Sequence, residues 1–156
     1  MEQPKAFPKR FDIIDSCSAP GNKTFQLSEQ FKDSKIFAFE NDPKRFVTLE
    51  KRKDNFNENK NIVTKLQDFI EVDQSDKLYE HVNLIVVDPS CSASGTFNNK
   101  IIENLENICC LDTAGSEVEM KQTERLKKLA MFQIKIINKA MSFPKYKYIF
   151  IILYNI

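Results

Sequence analysis

The segment Val82–Asp88 (VNLIVVD) constrains the fold more than any other. Apart from Asn83 and the terminal Asp88 it is apolar on both faces, so as a strand it must be covered from both sides. An interior strand of a layered parallel sheet meets that demand. Its neighbours in sequence agree. Phe11–Asp15 (FDIID), Lys35–Glu40 (KIFAFE), Asn61–Leu66 (NIVTKL) and Tyr148–Tyr154 (YIFIILY) are further short apolar runs that read as strands. Between them lie amphipathic stretches. Thr24–Phe31 reads as a helix. Pro43 to about Phe56 reads as a charged helix with Pro43 in its first turn. Asp76–His81 reads as a short helix. A long helix is predicted from about Glu119 to Ser142, with Leu126, Leu129, Ala130, Gln133, Ile136, Ile137, Ala140 and Met141 at helical spacing. The stretch from Ser92 to about Val118 lacks periodicity, and a loop of that length is usually functional or mobile. Strands alternating with helices predict an α/β fold, a mainly parallel sheet with helices on both faces. All 156 residues read as one domain. The final apolar run ends without a polar tail, so the expectation is a partial domain whose closing strands are missing.

Charge does not identify a partner: the formal net charge is +1. No apolar run approaches the roughly 18–20 residues of a membrane span. Met1–Arg10 is polar and basic and lacks the apolar core of a secretion signal, so an intracellular monomer is the default expectation. The cysteines Cys17, Cys91, Cys109 and Cys110 fit no zinc-site spacing and are expected reduced.

The run Asp15–Thr24 (DSCSAPGNKT) joins the first strand to the first helix. Small residues and Gly21 let the backbone approach a ligand, and the helix start offers unpaired N–H groups. Ligands of doubly wound sheets bind at this edge. Glu40 ends the second strand 19 residues after Gly21, where a carboxylate can accept from a ribose diol. Arg45 follows and can fix the loop or that carboxylate. Asp68 ends the third strand and is placed to accept from an adenine amino group, with Phe69 beside the ring. Surface charge or helix capping is the plain alternative for Glu40 and Asp68. A dinucleotide would want G-x-G-x-x-G, and this loop has one glycine. S-adenosylmethionine has no phosphate and suits the loop better.

The fourth strand ends in Asp88-Pro89-Ser90-Cys91-Ser92-Ala93-Ser94-Gly95. Carbon C5 of cytosine is a weak nucleophile, and thiolate attack at C6 makes it enamine-like. Such chemistry needs a reactive cysteine and an acid or hydrogen-bond partner at the base's N3/N4 edge. Cys91 and Asp88 are the candidate catalytic pair. A buried small cysteine and a loop anchor are the equally open structural reading.

The runs DSCSAPGNKT, AFENDPKR, LIVVDPSCSASG and ERLKKLAMFQIKIINKAMSFP resemble, in order and spacing, the Nop/Sun (RsmB/Nop-type) family of RNA 5-methylcytosine methyltransferases. They cover most of residues 11–154, and the Asp-Pro-Ser-Cys-Ser form looks most like the branch acting on large-subunit ribosomal RNA. The resemblance implies a Rossmann-like S-adenosylmethionine-dependent core, an RNA substrate and a nucleolar location. It implies that Cys17, Ser18, Ala19, Pro20, Gly21, Asn22 and Lys23 surround the methionine part of the cofactor. It further implies that Glu40 holds the ribose, Arg45 supports it and Asp88 lies between cofactor and base. Cys91 matches a cysteine tied to product release. The family's attacking thiol sits in a Thr-Cys-Ser segment after the fifth strand, and no such run occurs here. The alternative is a catalytically incomplete relative that binds cofactor or RNA. Lys44, Arg45, Lys51, Arg52, Lys53 and the lysines of Lys121–Lys128 are the candidate RNA contacts, with solvated helix faces as the alternative.

Overall fold

The computed structural model describes residues 11–55, 60–89 and 115–152, with side chains omitted for residues 115–123. The strands are β1 (Asp12–Asp15), β2 (Ile36–Glu40), β3 (Ile62–Leu66), β4 (Val82–Val87) and β5 (Tyr148–Ile151). The helices are α1 (Asn22–Gln30), α2 (Pro43–Asn55) and α3 (Gly115–Met141), with 3-10 turns at Phe69–Glu71 and Lys77–Tyr79. All strand pairs are parallel, in the order β3-β2-β1-β4-β5. The α/β expectation therefore holds. The chain divides into two compact units, residues 1–89 with 135–152, and residues 90–134 with 153–156. The sheet belongs to the first.

Strand order follows from strand composition. β1, β2 and β4 are buried along nearly their whole length, as the central positions require. β3 and β5 alternate or open to solvent, as edges do. One face of the sheet carries Ile13, Ile36, Ala38, Ile62, Leu84 and Val86, packed with Phe25 of α1 and Leu49 of α2. The other face carries an aromatic cluster. Phe37 meets Tyr79 edge-on at 5.1 Å, Phe39 meets Phe69 at 5.6 Å, and Phe69 stacks on Phe143 at 5.6 Å. Right-handed crossovers explain the division: β1→β2→β3 and β4→β5 run in opposite directions across the sheet, so their connections lie on opposite faces.

Most predicted boundaries agree to within two residues, the ordinary uncertainty of an element's end. Three differences stand out. The short helix predicted over Asp76–His81 is a single 3-10 turn capped by the Asp76 carboxylate, which accepts from Leu78 N at 2.8 Å. The turn at Phe69–Glu71 is unpredicted, because three residues carry no periodicity. Helix α3 starts at Gly115, four residues before the predicted start. The rest of the aperiodic stretch, including Cys91, Phe97, Cys109 and Cys110, lies outside the described residues, as do residues 153–156.

Ile85 is fully buried in β4, whereas Phe150 on β5 is 59% exposed. Urea denaturation should therefore show Ile85→Ala losing about 2–5 kcal/mol of stability and Phe150→Ala under about 1 kcal/mol. Similar losses for the two would contradict the assignment of β4 as an interior strand.

Candidate functional site

The chain leaves β1 between two parallel neighbours and must cross their tips. Ser16 and Ser18 decide how it crosses. The Ser16 amide and hydroxyl both donate to the Val86 carbonyl of β4, each at 3.0 Å. Two residues on, the Ser18 amide and hydroxyl both donate to the Phe39 carbonyl of β2, each at 2.9 Å. The loop is thus fastened first to one side of β1 and then to the other. Ser16 and Ser18 are 4% exposed, so these bonds form away from competing water. The Ser18 hydroxyl is committed to this fastening, and a ligand meets the loop's backbone instead.

Gly21 closes the loop and caps α1. Its φ is +105°, the left-handed region. A Cβ there would lie 2.5 Å from Phe25 Cε2 and 2.8 Å from Leu49 Cδ1, so only glycine fits. As the N-cap residue, Gly21 has no side chain with which to cap the first turn of α1. Asn22 begins the helix and is exposed.

Glu40 stands beneath the loop. Its Oε2 accepts from Ala19 N at 3.3 Å and lies 3.4 Å from Arg45 Nη2, and its Oε1 accepts from Asp42 N at 3.0 Å. A carboxylate offers about four lone-pair sites, so acceptor capacity remains. Lys23, from the first turn of α1, is ion-paired with Asp88 at the tip of β4. Gly21, Lys23, Glu40, Arg45 and Asp88 therefore gather at one edge of the sheet. Cys91, expected beside them, lies outside the described residues.

Two expectations at the third strand change. Asp68 Oδ1 accepts from Ile70 N at 2.9 Å and caps the following 3-10 turn, so the capping alternative accounts for one of its oxygens. Phe69 is 2% exposed, stacked on Phe143, and cannot lie beside a ligand ring. Part of the basic face of α2 serves the loop. Arg45 and Arg52 donate to the loop carbonyls of Ala19 and Pro20, and Lys53 to Thr64 Oγ1. Lys44, Arg45 and Lys51 remain exposed on this helix. On α3, Lys128 pairs with Glu124 at 2.8 Å, one helical turn away.

Asp15 is a site residue that strand and loop patterns do not single out. It is fully buried at the end of β1. Thr24 Oγ1 donates to its Oδ2 at 2.7 Å, while Oδ1 is buried without a hydrogen-bond partner. Burial, foremost, and the nearby Asp88 charge push its carboxyl up to about 6; the Thr24 bond, the Cys17 amide and Lys23 pull the other way. The signal in the sequence is the pairing of Asp15 with a threonine nine residues on, which a strand-to-helix turn brings back over the strand tip. Burial, then the Asp15 charge, also pushes the Cys17 thiol up to about 12, so Cys17 stays neutral and is no nucleophile.

The raised Asp15 pKa predicts a pH signature. In the unfolded chain the carboxyl ionises near 4. Between that pH and about 6 the folded state holds the extra proton, so stability falls as pH rises through this window. Each tenfold gain in the carboxyl's proton affinity on folding corresponds to roughly 1.4 kcal/mol lost once the group ionises. Urea midpoints should show Asp15→Asn gaining up to about 3 kcal/mol over the parent at pH 8, with the gain shrinking near pH 4. A gain that does not change with pH would contradict the burial of this charge.

Similarity to known proteins extends over most of the chain. The chain is 40% identical over 139 residues to a 25S rRNA (cytosine-C(5))-methyltransferase of Schizosaccharomyces pombe, covering 88% of this chain and 28% of that one. It is 33% identical over 147 residues to a 28S rRNA (cytosine-C(5))-methyltransferase of Mus musculus, covering 88% and 27%. The chain thus spans about a quarter of the length of these relatives. In fold it is similar to the crystal structure of NSun6 from Pyrococcus horikoshii with SFG, with a TM-score of 0.55 and 21% identity over 83% of this chain and 29% of that one. That likeness establishes a Rossmann-like methyltransferase fold. Residues 6–141 match the model of the 16S rRNA methyltransferase RsmB/F family, and the chain belongs to that family.

Proposed function

We propose that this chain is the cofactor-binding part of an S-adenosylmethionine-dependent RNA cytosine-C5 methyltransferase acting on large-subunit ribosomal RNA. The charge balance of the site carries the reading. Among the described residues at this edge of the sheet, Asp15, Glu40, Asp42, Asp68 and Asp88 outnumber Lys23, Lys44, Arg45 and Arg52. One of the carboxylate oxygens, on Asp15, is buried without a partner. An edge of that sign suits a sulfonium and an ammonium and repels a pyrophosphate. The single glycine of the loop agrees, since a dinucleotide needs more. The substrate follows the relatives, which act on 25S and 28S rRNA.

S-adenosylmethionine, when bound, supplies an electrophilic methyl group. The chain's residues do the rest. The backbone from Cys17 to Lys23 receives the methionine end, Glu40 the ribose diol, with Arg45 holding Glu40, and Asp68 the adenine amino group. Asp88, oriented by Lys23, meets the N3/N4 edge of the cytosine and fixes the base for attack. Cys91 lies three residues past Asp88 in sequence and is assigned to product release. The protein works in the nucleolus as a monomer on ribosomal RNA, and the 156 residues belong to one catalytic domain. Among the described residues no helix is long and apolar enough to cross a membrane.

Calorimetry tests the cofactor assignment. S-adenosylmethionine and S-adenosylhomocysteine should bind, and NAD should not. Glu40→Gln should weaken S-adenosylhomocysteine roughly tenfold, the value of one hydrogen bond to a charged acceptor. Tighter binding of NAD would reject the reading. Transfer of labelled methyl groups to deproteinised ribosomal RNA then separates an enzyme from a binding module.

A further inference from the structure

Helix α2 turns one stripe towards the loop at the tip of β1, and we propose that Arg52 in this stripe is a positioning residue for the amino-acid end of the cofactor. The proposal rests on the cofactor reading above. Arg45, Leu49 and Arg52 are four and seven residues apart, which puts them on one face of the helix. Each meets a successive residue of the turn. Arg45 Nη2 donates to the Ala19 carbonyl at 2.5 Å. Arg52 Nη1 donates to the Pro20 carbonyl at 3.0 Å. Leu49, fully buried, packs against Gly21 and occupies the space a Cβ there would need.

The consequence lies in the peptide plane. A peptide unit is rigid, so fixing a carbonyl fixes the N–H of the next residue on its opposite side. Arg52 holds the Pro20 carbonyl outwards, against α2. The Gly21 amide is thereby turned inwards, where it donates to Ser18 O at 2.7 Å. This plane leads directly into the first turn of α1, and its orientation sets the direction of that turn's N–H groups. Arg52 also lies over the Phe25 ring, 5.4 Å from its centroid, so α1 and the turn are gripped by one side chain. Arginine suits the task because its planar head can stack and donate at once, which a lysine cannot do.

Among the described residues, the contacts of Arg52 are with the turn and with Phe25 of α1. Glu40 and Asp68, which receive the nucleoside, stand at the ends of other strands. Loss of Arg52 should therefore divide the ligand. With the full 156-residue chain, Arg52→Met keeps the alkyl stem and removes the donor. Calorimetry should show S-adenosylhomocysteine weakened about three- to tenfold and adenosine changed by less than about twofold. Arg52→Lys should fall between parent and Arg52→Met. Equal weakening of both ligands would mean a general structural role and overturn the proposal, as would unchanged S-adenosylhomocysteine binding. If the parent chain binds adenosine and S-adenosylhomocysteine equally well, the amino-acid end is not held by this turn and the role fails. If the parent binds neither, the cofactor reading itself falls and takes the positioning role with it.

Discussion

The site depends on one pair of fastenings, from Ser16 to the Val86 carbonyl and from Ser18 to the Phe39 carbonyl. β1 lies between β4 and β2, and the strand order reverses there. A chain leaving such a position has a crevice to either side. Two serines two residues apart reach opposite neighbours, each with both amide and hydroxyl. This spreads the loop across the strand tips and leaves its turn at Gly21 facing α2. Without these bonds the buried carbonyls of Val86 and Phe39 would lose partners, and the loop would have no defined course.

The same edge explains why Asp15 is kept at a cost. A carboxylate sealed at a strand end opposes folding unless it is neutral or paired. Thr24 satisfies one oxygen only. Lys23 is ion-paired with Asp88, so the local excess of negative charge persists. The proposed cationic cofactor would relieve it. Stability and recognition therefore pull in opposite directions at this residue, a common trade at functional sites.

Much of this is legible in the amino-acid order. Strands such as VNLIVV declare themselves because burial on both faces leaves almost no polar position, Asn83 excepted, and Gly21 because one loop carries one glycine. Glu40 and Asp88 are legible from their places at strand ends. Other features are not. Arg45, expected to fix the loop or Glu40, does both, whereas nothing in a charged helix marks Arg52 as the donor to the Pro20 carbonyl. Asp68 reads as a ligand acceptor, while its nearest donor is the amide two residues on. Phe69 follows that aspartate directly, yet the 3-10 turn swings it into the aromatic cluster with Phe143. In each case the sequence names the group, and only packing decides which partner it meets.

The central claim is that the ligand sits across the carboxyl tips of β1, β2 and β4. Titrating the isotopically labelled chain with S-adenosylhomocysteine and following backbone amide resonances tests it most directly. The largest shifts should fall on residues 16–24, 40–42 and 88. Shifts concentrated at the opposite edge, around Lys35, Asn61 and Lys147, would contradict it.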